Sequence, residues 1–463
     1  MNKISYSLIA LSLLSSSLLA ETSLDNSLSE DHTYEKEVQK TQGIEIVDGW
    51  EFSGDIRAGW VQYDYQNKPL GIDGSGNIIP TDPATNKGHI DSRGIYTMPK
   101  LSISSPKNSR IGAKVTLAGA TDFGINDEKY EGRTFVFDPT ERKSFMILQE
   151  VFLSYEDKNH KALIGREEIG TPMIDADDWY MLANSFEVAY YTNSVLEDTT
   201  MTLGYFDKMS GVWDSGANGT EFHNMSDASF IDGVDKAAIG KKGVYFAALN
   251  YDDEKNHNLQ LWDYYAEDMY NTLFVQYDYS DGIDGFSYDF GLQFINFKEV
   301  GYLSTSAAST DIDYSLYSAR FDGNFDFGLD FATGYAKYTD GVGQGATLGA
   351  FGGYPYFANG MIFHFFEAGS LQNAASYKAQ LGYSLSSLGI DNLWVGYRYT
   401  FFDLDEDYSF NGSGKAQNGM ALNGIRVSYG SDYGAYFTGT YEHVNLDEEP
   451  NTFSLRLIGG YKF

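Results

Sequence analysis

The sequence predicts an all-β protein, a transmembrane antiparallel β-barrel of about 18 strands. Three observations predict it: segments in which apolar and polar residues alternate recur along the chain, the connections between them alternate between short and long, and the last such segment ends in Phe463. Alternation with a period of two gives a strand one apolar and one polar face. Most segments are about 9–14 residues long, close to the length of a tilted strand that crosses a bilayer.

The strand segments are clearest near the C-terminus. Between Asn392 and Phe402, for example, Val395, Tyr397 and Tyr399 alternate with Gly396, Arg398 and Thr400. The predicted strands lie near 50–64, 92–104, 110–121, 144–155, 159–167, 185–196, 200–209, 242–252, 257–265, 269–279, 286–298, 312–322, 326–338, 374–386, 391–402, 416–429, 432–444 and 451–463.

The lengths of the connections distinguish a membrane barrel from a soluble β-sandwich. Short turns such as 105–108, 156–159 and 429–432 alternate with long loops such as 65–91 and 339–373, with one exception near 266–268. Outer-membrane barrels have short periplasmic turns and longer extracellular loops, whereas a sandwich has no reason to keep this order. A closed barrel also leaves no unpaired backbone group in lipid. A secreted or surface β-protein, such as an adhesin or a barrel enzyme without channel activity, is the alternative.

The first 20 residues predict a secretory signal peptide. Lys3 precedes an uncharged stretch rich in Leu and Ser, which ends at Ala20. An uncleaved anchor is the alternative, but its apolar core is shorter than the roughly 20 residues needed to span a bilayer. The predicted organisation is therefore a signal peptide at 1–20, a polar periplasmic segment at 21–49 that is either a tail or a short helix, and the barrel at 50–463. Export then leads to the bacterial outer membrane.

Composition narrows the function further. The chain has 36 Tyr and 31 Phe, which suit the aromatic girdles of a membrane barrel. It has no Cys, which excludes disulfides and thiol-based sites. Its net charge of -33 repels nucleic acid. Its seven His are scattered and no catalytic motif occurs, so neither an enzyme nor a cofactor or metal is expected.

The charged residues on the polar face of the strands predict which side chains line the lumen. A charge facing mid-bilayer lipid costs about 2–4 kcal/mol, so Arg426, which lies between Ile425 and Val427, is expected to point into the lumen. The same rule places inward Arg57, Lys114, Arg320, Lys378, Arg398, Arg426 and Arg456. Fewer acids are placed inward, namely Glu51, Asp55, Asp289 and Asp330. We therefore expect a basic wall that guides carboxylates or other anions, since the Arg fork pairs with carboxylates. Alternatively, each cation is an ordinary wall residue paired with a nearby acid.

One stretch carries a family resemblance. Residues 165–194 read GREEIGTPMIDADDWYMLANSFEVAYYTNS. The positions that match are Gly165, Pro172, Met173, Ile174, Asp178, Met181, Leu182, Phe186 and Ser194. This pattern resembles that of the OprD-like outer-membrane porins. The resemblance implies an 18-stranded channel, monomeric or weakly trimeric, for small and often anionic solutes, with a row of basic residues along its inner wall.

The loop at 168–184 is a candidate constriction. It carries Asp175, Asp177 and Asp178, and in barrels of this class such a loop often folds into the pore. Carboxylates opposite a basic wall would make a transverse field that orders polar solutes. Arg166, at the entrance of the loop, is expected to anchor it to the wall. The alternative is an exposed acidic loop or a calcium site.

These expectations combine into a porin for passive diffusion of small hydrophilic solutes. A ligand-gated transporter would need a plug domain of over a hundred residues before the barrel, and only about 30 precede it here. The expected partners are solutes, outer-membrane lipid, and the outer-membrane assembly machinery, which would read the terminal strand with Tyr461 and Phe463. The expected state is a monomer or a homotrimer.

Overall fold

The computed structural model describes residues 43–64, 92–107, 109–127, 143–178, 181–210, 221–228, 236–305, 312–341, 348, 350–362, 373–404, 419–446 and 452–463. The predicted signal peptide and residues 21–42 lie outside the described residues.

Eighteen long strands form the wall of the molecule. In chain order they are β1 (Trp50–Asp64), β2 (Ser92–Ser104), β3 (Ile111–Ala120), β4 (Phe145–Glu156), β5 (His160–Glu167), β6 (Ser185–Asn193), β7 (Thr199–Ser210), β8 (Val244–Asp252), β9 (His257–Ala266), β10 (Tyr270–Ile283), β11 (Phe286–Glu299), β12 (Asp313–Phe325), β13 (Leu329–Tyr338), β14 (Ala375–Ser384), β15 (Leu393–Asp403), β16 (Gly419–Gly430), β17 (Ala435–Leu446) and β18 (Thr452–Lys462).

Each strand pairs antiparallel with the next, and the two ends of the sheet meet. β1 pairs with β18, with Gly59 opposite Ile458. The seam continues past the last strand residue, because Gly54 N–H donates to Phe463 O (2.9 Å) and Phe463 N–H donates to Gly54 O (3.0 Å). The sheet is therefore a closed barrel without a free edge, as lipid requires. The predicted fold and its 18 strands are confirmed.

The two faces of each strand are sorted as the alternation predicted. In β15 the side chains of Trp394, Arg398 and Thr400 are buried inside the barrel, whereas Val395 and Tyr397 are exposed on its outside. Large apolar side chains exposed on the outside, such as Ile164 and Leu203, suit a surface that lipid covers. The outside is therefore apolar and the inside polar.

The segment before β1 differs from expectation. Ile44–Val47 forms a short strand that pairs with the start of β1, where a tail or helix was predicted. Asp48 and Gly49 link the two strands with φ angles of 49° and 81°. Positive φ at both central residues is typical of the tight hairpin turn for which Asp-Gly is a strong sequence signal.

The remaining regular elements are short. Helices α1 (Met225–Ala228) and α2 (Lys236–Ile239) follow β7, with the two-residue strand His223–Asn224 before them. A 3-10 turn, Leu385–Leu388, follows β14. Among the described residues, no helix is both long enough and apolar enough to cross a bilayer.

Candidate solute pathway in the barrel lumen

An uncharged stretch of the long connection between β13 and β14 lies inside the barrel. We call residues 350–362, AFGGYPYFANGMI, the inner segment. Gln293 on β11 donates to Pro355 O (2.7 Å), and Ser318 on β12 accepts the Phe357 N–H (3.1 Å). The residues of the inner segment are buried. It therefore covers part of the inner wall and narrows the lumen.

The described parts of the acidic loop, 168–178 and 181–184, also lie in the lumen. The loop leaves β5 and reaches the wall strands β1 and β2. Asp178 accepts a hydrogen bond from Arg57 on β1 (2.5 Å), and Glu168 forms an ion pair with Lys100 on β2. Burial raises the pKa of the Glu168 carboxyl above its usual range. The carboxyl therefore becomes protonated, and the ion pair weakens, at a less acidic pH than the one at which a free glutamate is protonated.

The loop and the inner segment meet at two glycines, Gly352 and Gly353. Asp175 N–H donates to Phe351 O (3.0 Å). A Cβ on Gly352 or Gly353 would overlap the backbone of residues 172–175, and Gly352 also has φ +94°. Glycine is therefore required for this approach. The two segments form one continuous layer inside the barrel.

The seven predicted cations all lie on the inner face, but two of them are covered. Lys378 and Arg398 are each only 4% exposed. Arg398 donates to Gln380 Oε1 (2.8 Å) and to Gly360 O of the inner segment (3.1 Å). While the inner segment is in place, a solute in the lumen does not reach these two side chains.

Arg320 is partly covered by the inner segment. Its guanidinium lies 4.9 Å from the ring centre of Phe357, on the inner segment, and donates to Asp278 (2.9 Å). The ion pair with Asp278 therefore neutralises part of the positive charge of Arg320 within the wall.

The other four cations, Arg57, Lys114, Arg426 and Arg456, are likewise partly exposed. Lys114 is 31% exposed and pairs with Glu150 (2.8 Å). Arg57 is 16% exposed and pairs with Asp55 (2.8 Å) as well as with Asp178.

Three arginines lie on the inner wall made by β16, β17, β18 and β1, where Arg57 pairs with Gly460, four residues along β18 from Arg456. Arg426 and Arg456 flank Thr440 in the sheet register, and Arg426 Nε donates to Thr440 Oγ1 (3.1 Å). We call Arg57, Arg426 and Arg456 the arginine wall.

The inner face as a whole is less basic than predicted. Among the described residues, Glu150, Asp278 and Glu442 are inward acids that were missed, and Asp322 lies beside Arg320 on the same face. Glu150 follows a register shift between β3 and β4 that places the consecutive Gln149 and Glu150 both inside, so simple alternation fails there. The predicted inward acid Asp330 accepts the Trp394 indole N–H (2.7 Å). Of the seven predicted cations, those that stay partly exposed are Lys114 and Arg320, each paired with an acid, and the three arginines of the arginine wall.

Arg166 does not anchor the loop, contrary to expectation. Its side chain bonds Glu187 on β6 (2.8 Å) and packs on the ring of Phe222 (4.0 Å). In the sheet it pairs with Val151, whose side chain is exposed on the lipid side. Gly165 before it has φ +142°, which interrupts the alternation. Lys100 and Arg57 hold the loop instead. Within the described ranges, no three acidic or His residues are arranged to hold a metal ion.

A closed barrel with an apolar outside, a polar inside and two segments folded into its lumen defines an outer-membrane porin. The sequence model of the family described as outer membrane porin, OprD family, matches residues 160–413, more than half of the chain. The chain therefore belongs to the OprD family. It is a channel for small solutes in the bacterial outer membrane.

Solved structures of similar proteins support the fold. OccK8 (OprE) from Pseudomonas aeruginosa has 15% identity and a TM-score of 0.68, covering 91% of this chain and 99% of that chain. OccK9 (OpdG) from the same organism has 13% identity and a TM-score of 0.70, covering 91% and 100%. A BenF-like porin from Pseudomonas fluorescens Pf-5 has 16% identity and a TM-score of 0.67, covering 89% and 98%. No curated protein matches the sequence.

Proposed function

We propose that this porin favours small anionic solutes that carry a carboxylate, and that they pass along the arginine wall. The supporting observation is that Arg426 and Arg456 flank Thr440 and that Arg57 follows on the next strand, while Lys378 and Arg398 are covered. A guanidinium stays charged and presents a planar fork that matches a carboxylate. No catalytic role is part of the proposal.

Local charge decides the preference in this proposal, rather than the net charge of -33. At physiological ionic strength, charges separated by more than about 8 Å of water are largely screened from one another. Exposed acids in the periplasmic turns, such as Glu254, therefore act weakly on a solute beside the arginine wall.

A structurally similar porin gives independent support. OpdK from Pseudomonas aeruginosa, with 14% identity and a TM-score of 0.66, has been solved with vanillate, an aromatic carboxylate. By analogy, we propose carboxylates as the first solutes to test here.

The test is block of single-channel conductance by matched pairs of solutes. Succinate and benzoate are expected to block the current more strongly than succinamide and benzamide, because only the acids offer a carboxylate to the arginine wall. Phosphate and a neutral sugar extend the panel. Equal block by each acid and its amide would rule out the proposed preference while leaving the channel itself intact.

We also propose that the assembly machinery recognises the terminal strand through Phe463. The Phe463 ring lies 5.7 Å from that of Phe52, next to the seam that closes the barrel. Phe463→Ser is expected to lower the fraction of heat-modifiable barrel in the outer membrane while purified chain still folds in detergent. An unchanged membrane fraction would contradict this role. Cross-linking of the assembled protein would distinguish the monomer from the homotrimer.

A further inference from the structure

We propose that Glu442 is the positioning residue that fixes the inner segment and thereby sets the width of the pore. Glu442 lies on β17 and is only 1% exposed. Its Oε1 accepts the Met361 N–H and its Oε2 accepts the Ile362 N–H, each at 2.6 Å. Both oxygens of one buried carboxylate thus hold two consecutive peptide groups. This inference rests on the channel function and is independent of the proposed anion preference.

The chemistry of this contact requires a carboxylate. Both Glu442 oxygens act as acceptors, so two N–H groups can be satisfied together. A glutamine there would offer one acceptor oxygen and turn an NH₂ donor towards the second N–H. Because a buried charge is costly unless it is well hydrogen-bonded, the side chain and the segment stabilise each other.

A cation holds the same stretch from the carbonyl side. Arg398 donates to Gly360 O (3.1 Å) and to Asn359 Oδ1 (3.3 Å), and Thr400 donates to Asn359 O (2.8 Å). The stretch from Asn359 to Ile362 is therefore held by an anion at the N–H groups of Met361 and Ile362 and by a cation at the Gly360 carbonyl. We call Arg398 and Glu442 the clamp.

The sheet provides a notch between the two clamp residues. Arg398 and Glu442 both pair with Gly424 in the register, one from each neighbouring strand. A Cβ on Gly424 would lie 2.6 Å from Met361 Sδ. The missing side chain at 424 therefore gives Met361 its seat, and a larger residue there would push the segment off the wall.

Glu442→Gln is expected to loosen the inner segment, which raises the single-channel conductance and its open-state noise. Asp289→Asn is the matched control, since it also removes one negative charge from the inner face but bonds Ser280 instead of the inner segment. Unchanged conductance and noise in Glu442→Gln, or the same change in Asp289→Asn, would overturn the proposal.

An engineered disulfide that holds the inner segment on the wall is expected to rescue the Glu442→Gln variant. A merely structural role of Glu442 would not predict this rescue. The Cβ of Met361 lies 3.4 Å from an ideal Cβ on Gly424, close to the spacing that a disulfide needs. The chain has no Cys, so Met361→Cys with Gly424→Cys can form only the intended bridge. In the Glu442→Gln background, the oxidised bridge is expected to restore the parental conductance and reduction to raise it again. A bridge that forms without restoring the conductance would overturn the proposal.

A second variant covers the case in which Glu442→Gln fails to reach the membrane. Gly424→Leu fills the notch without changing the clamp residues and is expected to raise the conductance in the same direction. If Gly424→Leu folds, as judged by heat-modifiable migration, and conducts like the parent, the proposal fails.

Discussion

Replacing Arg426 and Arg456 together by alanine is expected to move the reversal potential of the channel towards cation selectivity. These residues supply two of the three charges of the arginine wall. Glu442, two residues from Thr440 on the same face of β17, stays in place beside them. Removing both guanidiniums leaves the local field of that wall neutral or negative, so anions lose their preferred path. The measurement is the reversal potential of single channels in asymmetric KCl.

A charge-matched control separates local from total charge in this experiment. Lys158 and Lys255 are exposed residues of the periplasmic turns, and replacing both by alanine removes as many positive charges as the double arginine replacement does. If this control shifts the reversal potential as much as the arginine pair does, total charge governs the channel and the arginine wall has no special role.

Deleting the inner segment, with its ends joined by a short Gly-Ser linker, is expected to raise the conductance by about twofold or more, because pore diameter limits the flow of ions. The deletion removes no charge of its own and uncovers Lys378, Arg398 and the carboxylate of Glu442, so the lumen gains two accessible positive charges and one negative charge. Anion selectivity should therefore rise together with conductance. Single-channel recording gives both quantities.

The control for the deletion replaces the exposed turn Leu385–Leu388 with Gly and Ser. That change disturbs a connection outside the lumen and should leave conductance and selectivity near the parental values. A deletion variant that folds and yet conducts like the parent would show that the inner segment does not limit the pore.

The strands were predictable because lipid imposes a strict requirement on them. Every outward position must be apolar and every backbone group paired, so alternation survives along each strand. The segment predicted at 257–265, for example, is the strand His257–Ala266 in the structure.

The contents of the lumen were harder to predict, because no periodic constraint acts on them. Nothing in the alternation of β15 and β16 distinguishes Arg398 from Arg426, since each lies between two apolar outward residues. What separates them is the inner segment, which comes from a distant loop and covers only Arg398. A signal for that segment exists in the sequence: no Asp, Glu, Lys or Arg occurs from Gly341 to Phe366 in this acidic chain.

Register shifts and turns account for other differences. Glu150 was missed because a bulge breaks the alternation beside it. The hairpin before β1 was missed although Asp48-Gly49 is a good signal for such a turn. Glu442, by contrast, alternates regularly with Tyr441 on its strand, so its inward direction was available from the sequence, while its two backbone partners were not.

The central claim is that the arginine wall, rather than the net charge of -33, sets the preference of the pore. The most direct measurement is the reversal potential of the unmodified channel in asymmetric KCl at neutral pH. We expect its sign to be that of a channel that passes chloride more readily than potassium. A reversal potential with the sign of cation selectivity would contradict this account.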